Sequence, residues 1–384
     1  MEFIGPFATR WGSKCFMKNL WFGTASCPVL FRSMTLPLFL RIIVLVGGMS
    51  CEAALPAPAV NAPYALLEEI PIGGDGGWDY LSIDDAARRL YVSHSTEIVV
   101  IDLDKNKVVG RIADTPGVHG IAIAPDLGRG FSSNGKEAQS SVIDLKTLKT
   151  LSKVGTGEGP DAILYDSGQR EIYTFNGRGQ SATVFEAATG KVTATIPLGG
   201  RPEFAVTDPT AQRVYDNLED KSAVAVIDST KHQVVATWPT QPGEEPSGMA
   251  FDAAHHRLFL GCGNNLMAMM DSTNGKVVAT VPIGKGVDAN AFDPATQLAF
   301  ASTGEGIVTI AHEDSPEKMT VVQTLATERG ARTMALDPKT HRIYLAAAKY
   351  EPAVPQAAAA SRQRPKMVPG SFKILVYAMC EPRN

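Results

Sequence analysis

The sequence predicts an all-β chain, a β-propeller of seven four-stranded antiparallel blades. Three observations lead there. An aromatic residue recurs every 40–44 positions, at Tyr91, Phe131, Tyr173, Tyr215, Phe259, Phe300 and Tyr344. An aspartate stands seven places before six of these, at Asp84, Asp166, Asp208, Asp252, Asp293 and Asp337, and Ala124 fills the remaining slot. Each repeat offers four short segments of alternating apolar and polar residues separated by turn residues, and repeats of this length and content stack as blades.

The first two strands of blade one lie in "GGWDYLSIDDAARRLYVSH". Third strands follow as "EIVVID", "QSSVID", "SATVFE", "SAVAVID" and "LMAMMD", and fourth strands as "KVVGRI", "KVTATI", "QVVATW" and "KVVATV". Gly190 and Gly275, in "TGK" and "NGK", occupy turn positions where positive φ is wanted. Pro71, Pro197 and Pro282 close fourth strands, where an edge tolerates a missing N–H. The last repeat has "TMALDP", "HRIYLAA" and "SFKILVYA" and then runs out of chain. Its missing fourth strand is supplied by "YALLEEIPIG", residues 64–73, so an N-terminal strand is expected to complete blade seven and close the ring.

Composition agrees. The 384 residues are 44% hydrophobic, enough for a large core, and the 35 glycines and 25 prolines suit many short elements joined by turns. The net charge is −4 and no Lys/Arg-rich run occurs, so nothing marks a nucleic-acid surface. Residues 1–59 show no repeat and are expected to be a leader. Within it Arg32 and Arg41 flank an apolar run at residues 42–46 followed by small residues, the pattern of a secretory signal peptide cleaved between residues 50 and 59. The run is too short for a membrane span, and Met34 is a candidate true start. Lipid anchoring through Cys51 is disfavoured, because "GGMSC" puts glycine where a lipobox prefers an aliphatic residue. The expected product is a periplasmic or secreted monomer with no membrane span in the mature part, residues 60–384. Cys262 and Cys380 fall in different repeats and are expected to be free, buried thiols.

The rhythm of "QRVYDN…AVAVIDSTKHQVVATW" resembles the YVTN-repeat (YncE-like) seven-bladed propellers, and the resemblance extends over about residues 64–380. It implies a propeller fold and an extracytoplasmic setting, and little about biochemistry. The Trp78-Asp79 pair does not indicate WD40 repeats: it opens a first strand, whereas that family carries its pair at the end of the third.

In a propeller the first strands line the central channel, and the loops entering them open on the face that usually binds ligands. The residue five before the aspartate marker should occupy the channel mouth in every blade. In order these residues are Asp79, His119, Asp161, Glu203, Ser247, Asp288 and Arg332. So many carboxylates on one axis repel one another unless Arg332, a cation or a cationic ligand offsets them. The alternative is a wet polar channel needing no ligand. Ends of second strands form an outer set on the same face, His94, Asn134 and Asn176, with Asn217 adjacent to the Leu218 slot. Asparagine suits turns there, and in the family pattern it is the ordinary residue; His94 departs from it. Trp78 and Tyr80 complete the candidate ligand set, Trp78 either packing between blades or offering a stacking platform. A divalent metal is a candidate cofactor, with Asp79, His119, Asp161 and Glu203 as ligands.

His255, His256 and His341 are expected on the opposite face, solvated, and His312 in a turn without a partner. The segment "KYEPAVPQAAAASRQRPKMVPGS", residues 349–371, separates two strands of blade seven on the mouth side. Residues 350–370 read either as a flexible loop or as a basic flap over an acidic mouth. Three functions follow: an exported protein binding an unidentified small-molecule or protein ligand at the channel mouth; a metal-dependent, lactonase-like hydrolase or lyase with His119 or His94 as catalytic base; or a protein-interaction scaffold.

Overall fold

The computed structural model describes residues 63–351 and 366–380. The expected leader, Met34, Cys51 and the centre of the 350–370 loop, including its flap reading, lie outside them. Among the described residues twenty-eight strands form seven four-stranded antiparallel sheets, and within each sheet the strands pair in sequence order. The exception is the closing sheet. There Tyr64–Pro71 pairs with Lys373–Met379, so the N-terminal strand completes blade seven as expected. The repeat of 40–44 residues thus corresponds to one blade throughout.

The aspartate marker is explained by local hydrogen bonding. At the end of each first strand its Oδ1 accepts backbone N–H groups two or three residues on: Ala87 at Asp84, Gly168 at Asp166, Thr210 and Ala211 at Asp208, Ala254 at Asp252, Ala295 at Asp293 and Lys339 at Asp337. A carboxylate there satisfies donors that the turn would otherwise orphan. Blade two needs none, because after Ala124 the chain makes a 3-10 turn, Pro125–Leu127, that ends on Gly128 at φ 61°. Gly190 and Gly275 sit at φ 75° and 77°, as their turns require.

The core is distributed as seven apolar clusters, one at each junction between adjacent blades. The repeating aromatics lie within them, all essentially fully buried. Each removes ring surface from water that a lone four-stranded sheet could not cover, roughly 1.5–3 kcal/mol per side chain. The outermost strands consist mostly of exposed and half-buried residues, and apolar side chains such as Val109, Leu151 and Val235 face solvent there.

Three expectations about the far ends of the blades change. His341 is not solvated: its Nδ1 lies 2.6 Å from Asp293 Oδ2 across the junction of blades six and seven. His312 belongs to the strand Ile307–Ser315 and pairs with Asp314 at 2.9 Å. His255 meets two carboxylates, while His256 is exposed. Cys262 is free and buried, and burial pushes its thiol up to about 12; Cys380 is free but only half-buried.

Candidate functional site at the channel mouth

A single structural device positions the mouth residues. In six blades the pairing of first and second strands slips by one residue immediately after the first pair, as between Trp78↔His94 and Leu81↔Val92. The same shift follows Val118, Pro160, Pro202, Pro246 and Val287. A bulge of this kind bends the strand and re-aims the inserted side chain. The inserted positions begin with Asp79, His119, Asp161, Glu203, Ser247 and Asp288. In blade seven the strand, Met334–Asp337, is shorter, and Arg332 lies in the segment before it.

These residues form two groups. His119 Nδ1 lies 2.6 Å from Asp79 Oδ2 and 3.3 Å from Asp161 Oδ1. Arg332 Nε lies 3.1 Å from Asp288 Oδ2. Ser247 is buried, and its carbonyl accepts the Asn217 side-chain amide at 2.8 Å. Tyr80 reaches across from blade one to blade four: its hydroxyl donates to the Glu203 carbonyl at 3.3 Å and its ring meets Phe204 edge-on at 5.2 Å. The path is open because residue 120 is glycine, whose added Cβ would lie 3.2 Å from the Tyr80 ring. Tyr80 therefore braces the channel wall beneath the mouth.

The electrostatics of the mouth differ from a simple acidic ring. Burial alone would lower the His119 pKa; the hydrogen bond to Asp79 and the charges of Asp161, Asp79 and Glu203 outweigh it and hold His119 up to about 9. Burial, reinforced by Asp161, pushes Glu203 up to about 8. Burial pushes Asp288 up to about 7 in spite of Arg332, and burial also raises Asp161 against the pull of His119. The repulsion expected among the carboxylates is thus relieved within the protein, by one imidazolium, one guanidinium and protonation of Glu203.

A cavity of about 200 Å³ opens over blades two to four, lined by His119, Gly135, Gly159, Asp161, Gly177, Arg178, Arg201, Pro202 and Glu203. Two of its charges, Arg178 and Arg201, lie outside the repeat register and escape a reading based on that register. Arg178 donates to the Gly135 carbonyl at 3.2 Å, and Arg201 pairs with Glu219. Gly135 is required by close approach: a Cβ there would come 2.7 Å from His119 Nε2.

The outer set does not join this cavity. His94 is 2% exposed and stacks on Phe372 at 4.4 Å, both ring nitrogens lack a hydrogen-bond partner, and burial lowers its pKa. It is packed in the junction of blades one and seven and has no contact with His119, so the expected histidine pair is not formed. Trp78 stacks on the same Phe372 at 5.0 Å and packs against the core of blades one and seven. Asn134 bonds Ser132 and Ser141, and Asn176 bonds Ser181 and Thr183, both as internal braces of their blades. The ligand atoms of Asp79, His119 and Asp161 come within 4.8 Å of one another, close enough for a metal ion; Glu203 is not part of that group.

No protein-family model matches the chain and no curated protein is similar to it, so the YVTN-repeat resemblance rests on the repeat pattern alone. Among solved structures, a chain of hydrazine synthase from Kuenenia stuttgartiensis is similar, with a TM-score of 0.63 and 15% identity over 70% of this chain and 92% of that one. At that identity the likeness is one of fold, and it agrees with the sheet order: the chain is a seven-bladed β-propeller.

Proposed function

We propose that this protein is an exported propeller that binds a small anionic molecule in the cavity over blades two to four. The observation that carries the reading is the lining itself: His119, Arg178 and Arg201 supply positive charge and donors, while Glu203 is a neutral acid at pH 7. A ligand carrying a carboxylate or phosphate would accept from the two guanidinium groups. A carbonyl on it would accept from the protonated Glu203, and a hydroxyl on it would donate to Asp161. The cavity volume suits a small metabolite rather than a peptide. Export is supported by the basic flank and short apolar run at residues 32–46.

Two other readings are less well supported. A hydrolase or lyase using His119 as general base requires a neutral imidazole, and the Asp79 hydrogen bond and the surrounding carboxylates hold His119 protonated up to about 9. A scaffold role would draw on a contiguous apolar patch, whereas among the described residues the large exposed apolar side chains are spread over several outer strands, with Leu66 and Leu67 adjacent on one of them. A thermal-shift screen of small carboxylates and phosphate esters tests the proposal. Stabilisation of the wild-type chain that disappears in an Arg178→Ala/Arg201→Ala variant is expected. Stabilisation that persists undiminished in that variant would place the ligand elsewhere.

A further inference from the structure

The ends of the first strands opposite the mouth carry an independent cluster. Asp252 closes the first strand of blade five, His255 lies in the turn after it, and Glu313 lies on the third strand of blade six. His255 Nδ1 is 2.7 Å from Asp252 Oδ2 and 3.3 Å from Glu313 Oε1. One ligand atom from each of the three falls within 4.8 Å of the others.

Neighbouring junctions show how this fold ordinarily neutralises such a position. Asp293 is met by His341 at 2.6 Å, and Asp337 by Arg88 at 2.6–2.8 Å, one cationic side chain for one buried carboxylate, with Arg88 also reaching the exposed Asp85 and Asp104. At the junction of blades five and six two carboxylates share a single imidazole. Arg257, the nearest guanidinium in sequence, is committed elsewhere, to the Pro316 and His256 carbonyls and to Asp271. Glu313 is 1% exposed, and neither of its oxygens accepts a hydrogen bond. A sealed carboxylate whose nearest donor is an imidazole 3.3 Å away, shared with a second carboxylate, is costly to keep charged. Here its carboxylate falls with Asp252 and His255 in one group of candidate metal ligands.

We propose that Asp252, His255 and Glu313 bind a divalent first-row transition metal ion that clips blade five to blade six. One imidazole and two carboxylates are a donor set for Zn²⁺ or Mn²⁺ rather than for a soft ion, and three protein ligands leave water to complete the shell. Asp252 is already oriented by the Ala254 N–H, which donates to its Oδ1 at 2.9 Å, the outer support a ligating carboxylate needs. Because the ligands come from two blades, bound metal stabilises the folded ring.

The full chain, stripped with chelator, is titrated with Zn²⁺ and with Mn²⁺ while metal content and Tm are followed. One equivalent bound, with a rise in Tm of several degrees, is expected for wild type and for His119→Ala, which leaves this cluster intact. Glu313→Gln and His255→Ala should lose the tight equivalent and at least tenfold in affinity. Binding lost in His119→Ala but kept in Glu313→Gln would put the metal at the mouth and overturn the proposal. So would an absence of binding with a Tm that rises on mild acidification, which means a proton joins the two carboxylates. Should a variant fail to fold, a crystal of the Zn²⁺-loaded wild type decides: an anomalous peak between Asp252 and Glu313 supports the site, and a peak elsewhere or none overturns it.

Discussion

His119 of blade two donates through Nδ1 to Asp79 of blade one, 2.6 Å away, and this bond joins the two blades at the channel mouth. The pair makes a pH prediction. The His119 pKa is raised above its ordinary value to about 9, so the stabilisation it provides is complete below about pH 6.5 and fades as pH rises through 9. Asp79→Asn should therefore lower the imidazole pKa by at least one unit, read by NMR titration. The Tm deficit of Asp79→Asn should be largest near pH 6 and small above pH 9. An unchanged imidazole pKa would show that Asp79 does not hold the proton.

Glu203 gives a slope of the same sign over a lower range of pH. Its pKa is raised from 4.5 to about 8, so the folded state holds the proton more tightly than the unfolded chain and loses stability as pH climbs between those values. Glu203→Gln should melt like wild type at pH 4.5 and above it at pH 8.5, by a few degrees. Thermal melts across that range check the sign.

Asp216 is fully buried in the second strand of blade four, and neither carboxylate oxygen has a partner. Burial, with Glu203 nearby, raises its pKa well above the ordinary carboxyl value. The same position holds Val92 in blade one and Leu260 in blade five. Asp216→Val should stabilise the propeller by about 1–3 kcal/mol at neutral pH, the cost of an unsatisfied buried polar group. Chemical denaturation measures it, and a loss of stability would reveal a partner for Asp216.

Gly135 leaves room for the His119 ring. Gly135→Ala should displace the imidazole, weaken ligand binding at least tenfold and, by disturbing the His119–Asp79 bond, lower Tm most near pH 6. Titration with whichever anion stabilises the wild-type chain tests this, and undiminished affinity would remove His119 from the site.

Much of the fold was legible because its markers act locally. Asp84 and its counterparts cap turns within three residues, and the strand-two aromatics fill the blade junctions, so both recur with the blade. The mouth was partly legible. Counting back from the aspartates placed Asp79, His119 and Asp161 in one register, and the structure brings them together. What register could not show was the outcome of long-range packing. His94 occupies the same slot as Asn134 and Asn176, yet Phe372, more than 270 residues later in the chain, stacks on it and removes it from the mouth face. Arg178 and Arg201 sit in loops that do not repeat. Protonation of Glu203 depends on burial and on Asp161, which no spacing encodes. The one-residue bulges leave no composition signal, although they aim every mouth side chain except Arg332.

The central claim is that the cavity over blades two to four binds a small anion through Arg178 and Arg201. Isothermal titration of the full chain at pH 7 with citrate, succinate and inorganic phosphate tests it directly. The account predicts saturable binding of at least one of these, one per chain, with Kd raised at least tenfold in Arg178→Ala/Arg201→Ala and unchanged in Glu313→Gln. No saturable binding by any of the three, or equal binding by the double variant, would contradict it.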